Sequence, residues 1–202
     1  MKRKEVKAFF KAIRDSDFQT ISELITTNNE YVSVCNFAPP KKDDGQSGLQ
    51  VAFKTGNFDI ARLLIQNGAD INFIEQSEVN EWKAPVLQDC IRATIFNSFT
   101  LQKDTAQFDK AISLLKLMLA EGADPNAIDS YGNNCLHRAF LDSRQMIDNP
   151  AADFTGEILL SQLKNIFKEL INAGADVYQT SDNRPSVLDF IVNYRMEKYQ
   201  LI

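Results

Sequence analysis

Three identical tripeptides, Gly68-Ala69-Asp70, Gly122-Ala123-Asp124 and Gly174-Ala175-Asp176, constrain this chain more than any other feature. Each follows an apolar run with helical spacing: Ile60, Ala61, Leu63 and Leu64 before the first, residues 114–119 before the second, and Ile166, Phe167, Leu170 and Ile171 before the third. Gly68, Gly122 and Gly174 therefore fall just past a helix end, where the chain commonly needs a positive φ that a Cβ disfavours. A repeated cap predicts a repeated helical unit, and a repeat sets the fold before any other signal does.

A second element recurs as Ser47-Gly48-Leu49-Gln50-Val51-Ala52, Pro85-Val86-Leu87-Gln88-Asp89-Cys90, Asn134-Cys135-Leu136-His137-Arg138-Ala139 and Ser186-Val187-Leu188-Asp189-Phe190-Ile191. It sets a leucine one helical turn from a residue three later. Leu49 precedes Gly68 by 19 residues, and Gly122 and Gly174 precede Leu136 and Leu188 by 14 each, so the full period is 33. That is the period of ankyrin repeats, a turn and two helices per unit. Residues 44–52, Asp44-Gly45-Gln46-Ser47-Gly48-Leu49-Gln50-Val51-Ala52, and residues 131–139 around Leu136-His137 are similar to the opening of that family, Asp-Gly-x-Thr-Pro-Leu-His-x-Ala.

The resemblance covers essentially the whole chain. It implies an all-α ankyrin-repeat solenoid of stacked helix-turn-helix pairs with hairpin-like fingers, in a single domain over 1–202. The repeats fall at about 4–36, 45–74, 83–128 and 131–180, with a C-terminal half-repeat over 183–202. The first unit diverges most: Phe9, Ala12 and Ile13 take its first-helix core positions and Ile21, Leu24 and Ile25 its second. Asn28 replaces the capping glycine there, and asparagine tolerates a left-handed cap. Lys2, Arg3, Lys4, Glu5, Lys7, Lys11 and Arg14 give the first helix the polar side that a terminal repeat requires.

Composition narrows the function. With 27 acidic and 22 basic residues among 202, the net charge is −5, which disfavours a phosphate backbone, so no nucleic acid is expected as a partner. Lys7, Lys11, Arg14 and Asp15 break up any apolar leader after the basic start, and no apolar stretch is long enough to span a bilayer. Cys35, Cys90 and Cys135 form no Cys-x-x-Cys pair and have only one histidine to join them, so no metal is expected and a cytoplasmic, reducing location fits. The glycines are accounted for by caps and turns, which leaves no phosphate loop and no cofactor site.

Candidate chemical residues are each weighed against a structural role. His137 occupies the family's Leu-His position, where the imidazole ties neighbouring turns together, and no Ser-His-Asp or Cys-His set can be assembled around it. No enzymatic activity is expected. Cys90 replaces a small core alanine. Cys135 replaces the family's proline at a helix start, where a thiol either packs or gains a lowered pKa. Asp148 and Asp153, and Glu75, Glu78 and Glu81, lack the oxygen-ligand pattern of a calcium loop and read as solvated surface. Residues 64–72 resemble the ankyrin pattern recognised by asparagine hydroxylases, although Asn72 also reads as a turn residue.

Departures from the period locate individuality. Between the two helices of a pair, the third unit holds 16 extra residues and the fourth 19. Ile95, Phe96, Phe99 and Leu101 predict a lengthened helix in the third. Asp148-Asn149-Pro150 predicts a loop in the fourth, with a helix restarting near Thr155 and Glu157 serving its first turn. The two inserts should lie side by side and bury apolar residues against each other. Two fingers are also long: residues 36–45, with Pro39, Pro40, Lys41 and Lys42, and residues 72–83, with Glu75, Glu78, Glu81 and Trp82.

Trp82 at a finger tip either anchors a partner, as tryptophan often does, or folds back onto Phe73 or Val79. The positions that contact partners in this family map here to Glu81, Trp82, Lys83, Lys54, Asn57, Tyr131, Asn133 and Arg184. The resemblance thus implies a non-catalytic scaffold that presents a concave groove and fingers to a protein partner, as a monomer. A dedicated inhibitor or immunity-type regulator and a secreted host-directed effector are the alternatives. A membrane-surface role for the first helix, with Lys2, Lys4, Lys7 and Lys11 beside Phe9, Phe10 and Ile13, is a further one.

Overall fold

The computed structural model describes residues 1–37, 43–100 and 103–202. These form two compact units, Met1–Asp89 and Cys90–Ile202. Pro39, Pro40, Lys41 and Lys42 of the first finger, and Leu101, lie outside the described residues. The described chain is mainly α-helical, and its only ladder is one two-stranded sheet of two-residue strands.

In the first unit, α1 (Arg3–Arg14) and α2 (Phe18–Thr27) form one antiparallel pair and α3 (Gly48–Lys54) and α4 (Phe58–Gln66) the next. α1 packs on α2 and α3, and α4 packs on α2 and α3. Asp17 starts α2 by accepting from the Thr20 amide at 3.0 Å. Ser47 starts α3 through a reciprocal cap with Gln50. Phe9, Phe10, Ile13, Ile21, Leu49, Phe53 and Leu64 fill the space between the pairs with at most 2% exposure. Each such side chain contributes about 1.5–3 kcal/mol by leaving water.

A short hairpin joins the pairs: β1 (Cys35–Asn36) runs antiparallel to β2 (Gln46–Ser47), with Cys35 opposite Ser47 and Asn36 opposite Gln46. The next finger closes with a bridge between Ile74 and Pro85. α5 (Val86–Phe96) follows and ends in the second unit.

The second unit adds α6 (Ala106–Ala120), α7 (Cys135–Ile147), α8 (Ile158–Asn172) and α9 (Val187–Asn193). α8 packs on α6 and α7, and α9 on α7. Asn134 and Ser186 cap α7 and α9 as Ser47 caps α3. Ile95, Leu114, Leu115, Phe140, Leu163 and Phe167 are the buried centre.

The predicted glycine caps take the required conformation, with φ of 87° at Gly68 and 94° at Gly122 and Gly174. Asn28 does not. Its φ is −150°, because the chain turns directly into a short 3₁₀ helix, Asn29–Ser33, which the Asn28 side chain caps by accepting from the Glu30 amide at 3.0 Å. Leu24 is correspondingly half-buried instead of sealed in the core.

The inserts also differ from expectation. α5 and α7 have 11 and 13 residues against 7 in α3, so each insert does extend a first helix. But α5 stops at Phe96, where the Asn97 side chain turns back on the Ala93 carbonyl at 2.8 Å, and Phe99 lies beyond the helix. After the turn at 148–154 a 3₁₀ turn, Thr155–Glu157, starts where a helix was expected, and α8 follows from Ile158. Gly156 and Glu157 before it are left-handed, and the Glu157 side chain caps nothing. The inserts do meet, through the exposed ion pair of Lys103 with Asp153 at 2.8 Å, while the Phe99 amide reaches past the second insert to Gln162 of α8 at 2.7 Å.

Gly45 is the tightest backbone position. Its amide donates to the Asn36 carbonyl at 2.6 Å, its carbonyl accepts from the Gln76 amide at 2.8 Å, and a Cβ there would sit 1.9 Å from the Ser77 nitrogen. At Gly68 a Cβ would meet nothing within 4 Å, so only the left-handed φ resists substitution. In urea unfolding, Gly68→Ala should cost about 1–2 kcal/mol. Gly45→Ala should cost at least about 3 kcal/mol, since backbone must move as well. Equal costs would contradict the close approach of the two fingers at Gly45.

Candidate partner-binding surface

The second finger of the first unit stands on a buried acid. Glu75 is 3% exposed and accepts from Gln46 Nε2 at 3.1 Å and from Asn80 Nδ2 at 3.0 Å. Lys54 Nζ lies 3.5 Å from Glu75 and 3.7 Å from Asp89, which itself accepts from Gln50 Nε2 at 2.8 Å. Reading Glu75 as solvated surface was therefore wrong: a buried carboxylate needs donors, and the two turns supply them. Ser77, fully buried, donates to Asp44 at 2.8 Å and accepts from the amides of Val79 and Asn80.

On this base, Glu81 is exposed and Trp82 and Lys83 are half-buried. The Lys54 ammonium lies 5.7 Å from the Trp82 ring centre, so the indole is engaged by a cation from α3. Val79, one of the two residues offered as its packing partners, is itself exposed. Asn57 is committed within the fold: its Nδ2 donates to the Ile13 carbonyl at 2.6 Å and its Oδ1 accepts from Ser16 at 2.5 Å, fastening the start of α4 to the end of α1.

In the second unit, Asp129 organises the finger before α7. It accepts from the amides of Tyr131 and Asn133 at 2.9 Å and from Asn133 Nδ2 at 3.0 Å. Asn133 is only 3% exposed, and its Oδ1 accepts from Arg184 Nε at 2.7 Å. Asn133 thus orders Arg184, which is half-buried. Tyr131 is the outward member of this set, 42% exposed.

His137 is buried beneath them. Its Nε2 donates to the Pro185 carbonyl at 2.7 Å and its Nδ1 accepts from the Asn134 amide at 3.3 Å, so both ring nitrogens are engaged. Burial lowers its pKa, the Pro185 carbonyl partly opposing. The imidazole does tie the turn before α7 to the turn before α9.

Cys135 sits at the first position of α7 but is fully buried, and burial pushes its thiol far up, not down; the helix-terminus effect loses to desolvation. Cys90 is equally buried. Cys35 is raised to about 11 for the same reason. Burial also raises Asp142 above the usual carboxylate range, although Arg138 contacts it at 2.6 Å. Asn72 is exposed, and its amide donates to Asp70 at 2.9 Å in a tight turn. Among the described residues no group of three or more metal-ligating side chains converges, and no helix is long and apolar enough to cross a membrane.

Two solution behaviours follow. Because the folded state holds His137 below its ordinary value of 6.5, the unfolded chain takes up a proton first as pH falls. Stability carried by the neutral ring is present above pH 6.5 and declines below it. Urea midpoints at pH 7.5 and 5.5 should differ more in the wild type than in His137→Gln. Thiol titration at neutral pH should leave Cys90 and Cys135 unmodified until the chain unfolds; fast labelling of Cys135 would contradict its burial.

Residues 44–75, the stretch from the Gly45 turn through α3 and α4 to Glu75, match the family model for the ankyrin repeat. A Rickettsia bellii protein that carries the name of an ankyrin repeat protein is 29% identical over 175 residues. The match covers 77% of this chain and 24% of that protein, so the chain spans about a quarter of the relative's length. Residues 44–75 are thus similar to an ankyrin repeat, and the helix pairs and glycine caps of the rest of the chain are consistent with that all-α repeat fold.

Proposed function

We propose that this chain is a protein-binding module whose first unit contacts its partner through the finger bearing Glu81, Trp82 and Lys83, with Lys54 beside it. Ankyrin repeats are generally protein–protein interaction modules, and the family is generally non-enzymatic. The observation that carries the reading is the buried Glu75, which receives hydrogen bonds from Gln46 and Asn80. A finger braced in this way presents Trp82 without the ordering entropy that a loose loop would lose on binding.

Tyr131 and Arg184 form the corresponding patch of the second unit, with Asn133 as its internal brace and Asn57 as a brace in the first. Glu78 and Glu81 are exposed on the finger and favour a basic partner surface, which acts more on association rate than on affinity. A cytoplasmic scaffold, an inhibitor of a partner enzyme and a secreted effector would all use this surface, and the identity of the captured partner separates them.

The test is affinity capture with wild-type protein from the native organism, then titration of the captured partner. Replacing Glu81, Trp82 and Lys83 together by Ala should weaken binding at least about tenfold, the scale of one hot-spot residue, while leaving the urea midpoint unchanged. Unchanged affinity would remove this finger from the interface.

A further inference from the structure

The extra residues between paired helices of the second unit enclose a cavity of about 200 Å³. Its deepest residues are Ser98, Thr100 and Met146, each at most 6% exposed. Asp104, Gln107 and Gln145 stand around its exposed rim. Small-molecule pockets usually run to about 300–1,000 Å³, so this one is sized for a single side chain and not for a cofactor.

Its inner wall offers several acceptors and one carboxylate, beside the carboxamides of Gln107 and Gln145 at the rim. The Ser98 hydroxyl is buried and has no hydrogen-bond partner among the described residues, a costly state unless a ligand or water relieves it. Thr100 spends its proton on the Ser98 carbonyl at 3.2 Å, which leaves its lone pairs to accept. Asn97, also in the wall, spends its amide protons toward the Ala93 carbonyl and keeps its own oxygen available. Among the described residues of the lining Asp104 alone is charged; it accepts from the Ala106 amide at 3.0 Å and makes no ion pair among the described residues. Lys103, the basic residue beside Asp104 in sequence, is taken by Asp153 at 2.8 Å.

A cavity with acceptors to spare and a carboxylate outside any ion pair among the described residues favours an occupant rich in donors. Arginine carries five N–H donors and no acceptor, and its planar fork suits several acceptors at once. Phe96 and Met146 in the same wall supply apolar contact for its methylene stem. We propose that this cavity is a receptor for an arginine side chain presented by a protein partner, a contact separate from the finger. The proposal rests on the protein-partner reading for its biological meaning, but its test needs no partner.

The probe is N-acetyl-arginine amide, titrated into the full-length chain while backbone amide NMR shifts are followed. Saturable shifts should cluster at Ser98, Thr100, Gln107, Gln145 and Asn149. The uncharged isostere N-acetyl-citrulline amide should bind at least about fivefold more weakly, and so should the arginine probe to Asp104→Asn. Ser98→Ala should also weaken the probe while leaving the urea midpoint equal or higher, since the hydroxyl has no partner in the free protein; a merely structural serine would lose stability instead. The triple Ala variant of Glu81, Trp82 and Lys83 should bind the probe as the wild type does. That separates failure of the cavity from failure of the finger. No saturable shift at these residues, equal binding of citrulline, or an unaffected Asp104→Asn would overturn the assignment.

Discussion

One hydrogen bond recurs beneath the repeats, and the fingers depend on it. The residue after the motif leucine is Gln50 in one unit and His137 in the other, chemically unlike but structurally equivalent. Gln50 Nε2 donates to the Ala84 carbonyl at 3.1 Å, and His137 Nε2 donates to the Pro185 carbonyl at 2.7 Å. Ala84 and Pro185 both stand three residues before the next motif leucine, Leu87 and Leu188. Both donors are buried, and both also cap their own helix with the residue three earlier, Ser47 or Asn134. A single side chain thereby fixes where its helix begins and where the next finger returns, so register is handed on locally. Because the bond is sealed from water, leaving its carbonyl unpaired would carry a desolvation cost as well as the lost bond.

The same bracing explains which predicted contact residues can face a partner. Glu81 and Tyr131 stand outward on fingers braced from beneath, where Glu75 accepts the Asn80 side chain and Asp129 the Tyr131 amide. Asn133 and Asn57 were placed on the contact surface by family position, yet their side chains are spent on Arg184, Asp129 and Ile13. Neighbouring positions on a finger thus divide into those that hold it and those that it presents. Burial decides between them, and a contact list by position does not contain burial.

What was legible in the sequence follows the same division. Gly68, Gly122 and Gly174 announced themselves because a positive φ is a local demand that one residue type meets best. His137 was legible because its motif places it. Glu75 was not: an acid between turn residues looks solvated until the donors Gln46 and Asn80 are brought to it from other parts of the chain. Asn28 and the end of α5 failed for a related reason. The Asn28 and Asn97 side chains found nearby backbone groups, and those short-range bonds overrode the repeat template.

The repeat frame also accounts for where new chemistry can collect. Residues inside the period are committed to capping, packing or bracing, and a change there disturbs the next unit. Between paired helices the inserted residues lie outside the repeat period, so polar groups can remain without an ion pair or side-chain partner there without breaking register. Ser98, buried and unpartnered, and Asp104, charged and unpaired, lie in such an insert. Where Gln50 and His137 spend their buried side chains on holding up the fold, the Ser98 hydroxyl and the outer oxygen of Asp104 are left to meet a ligand.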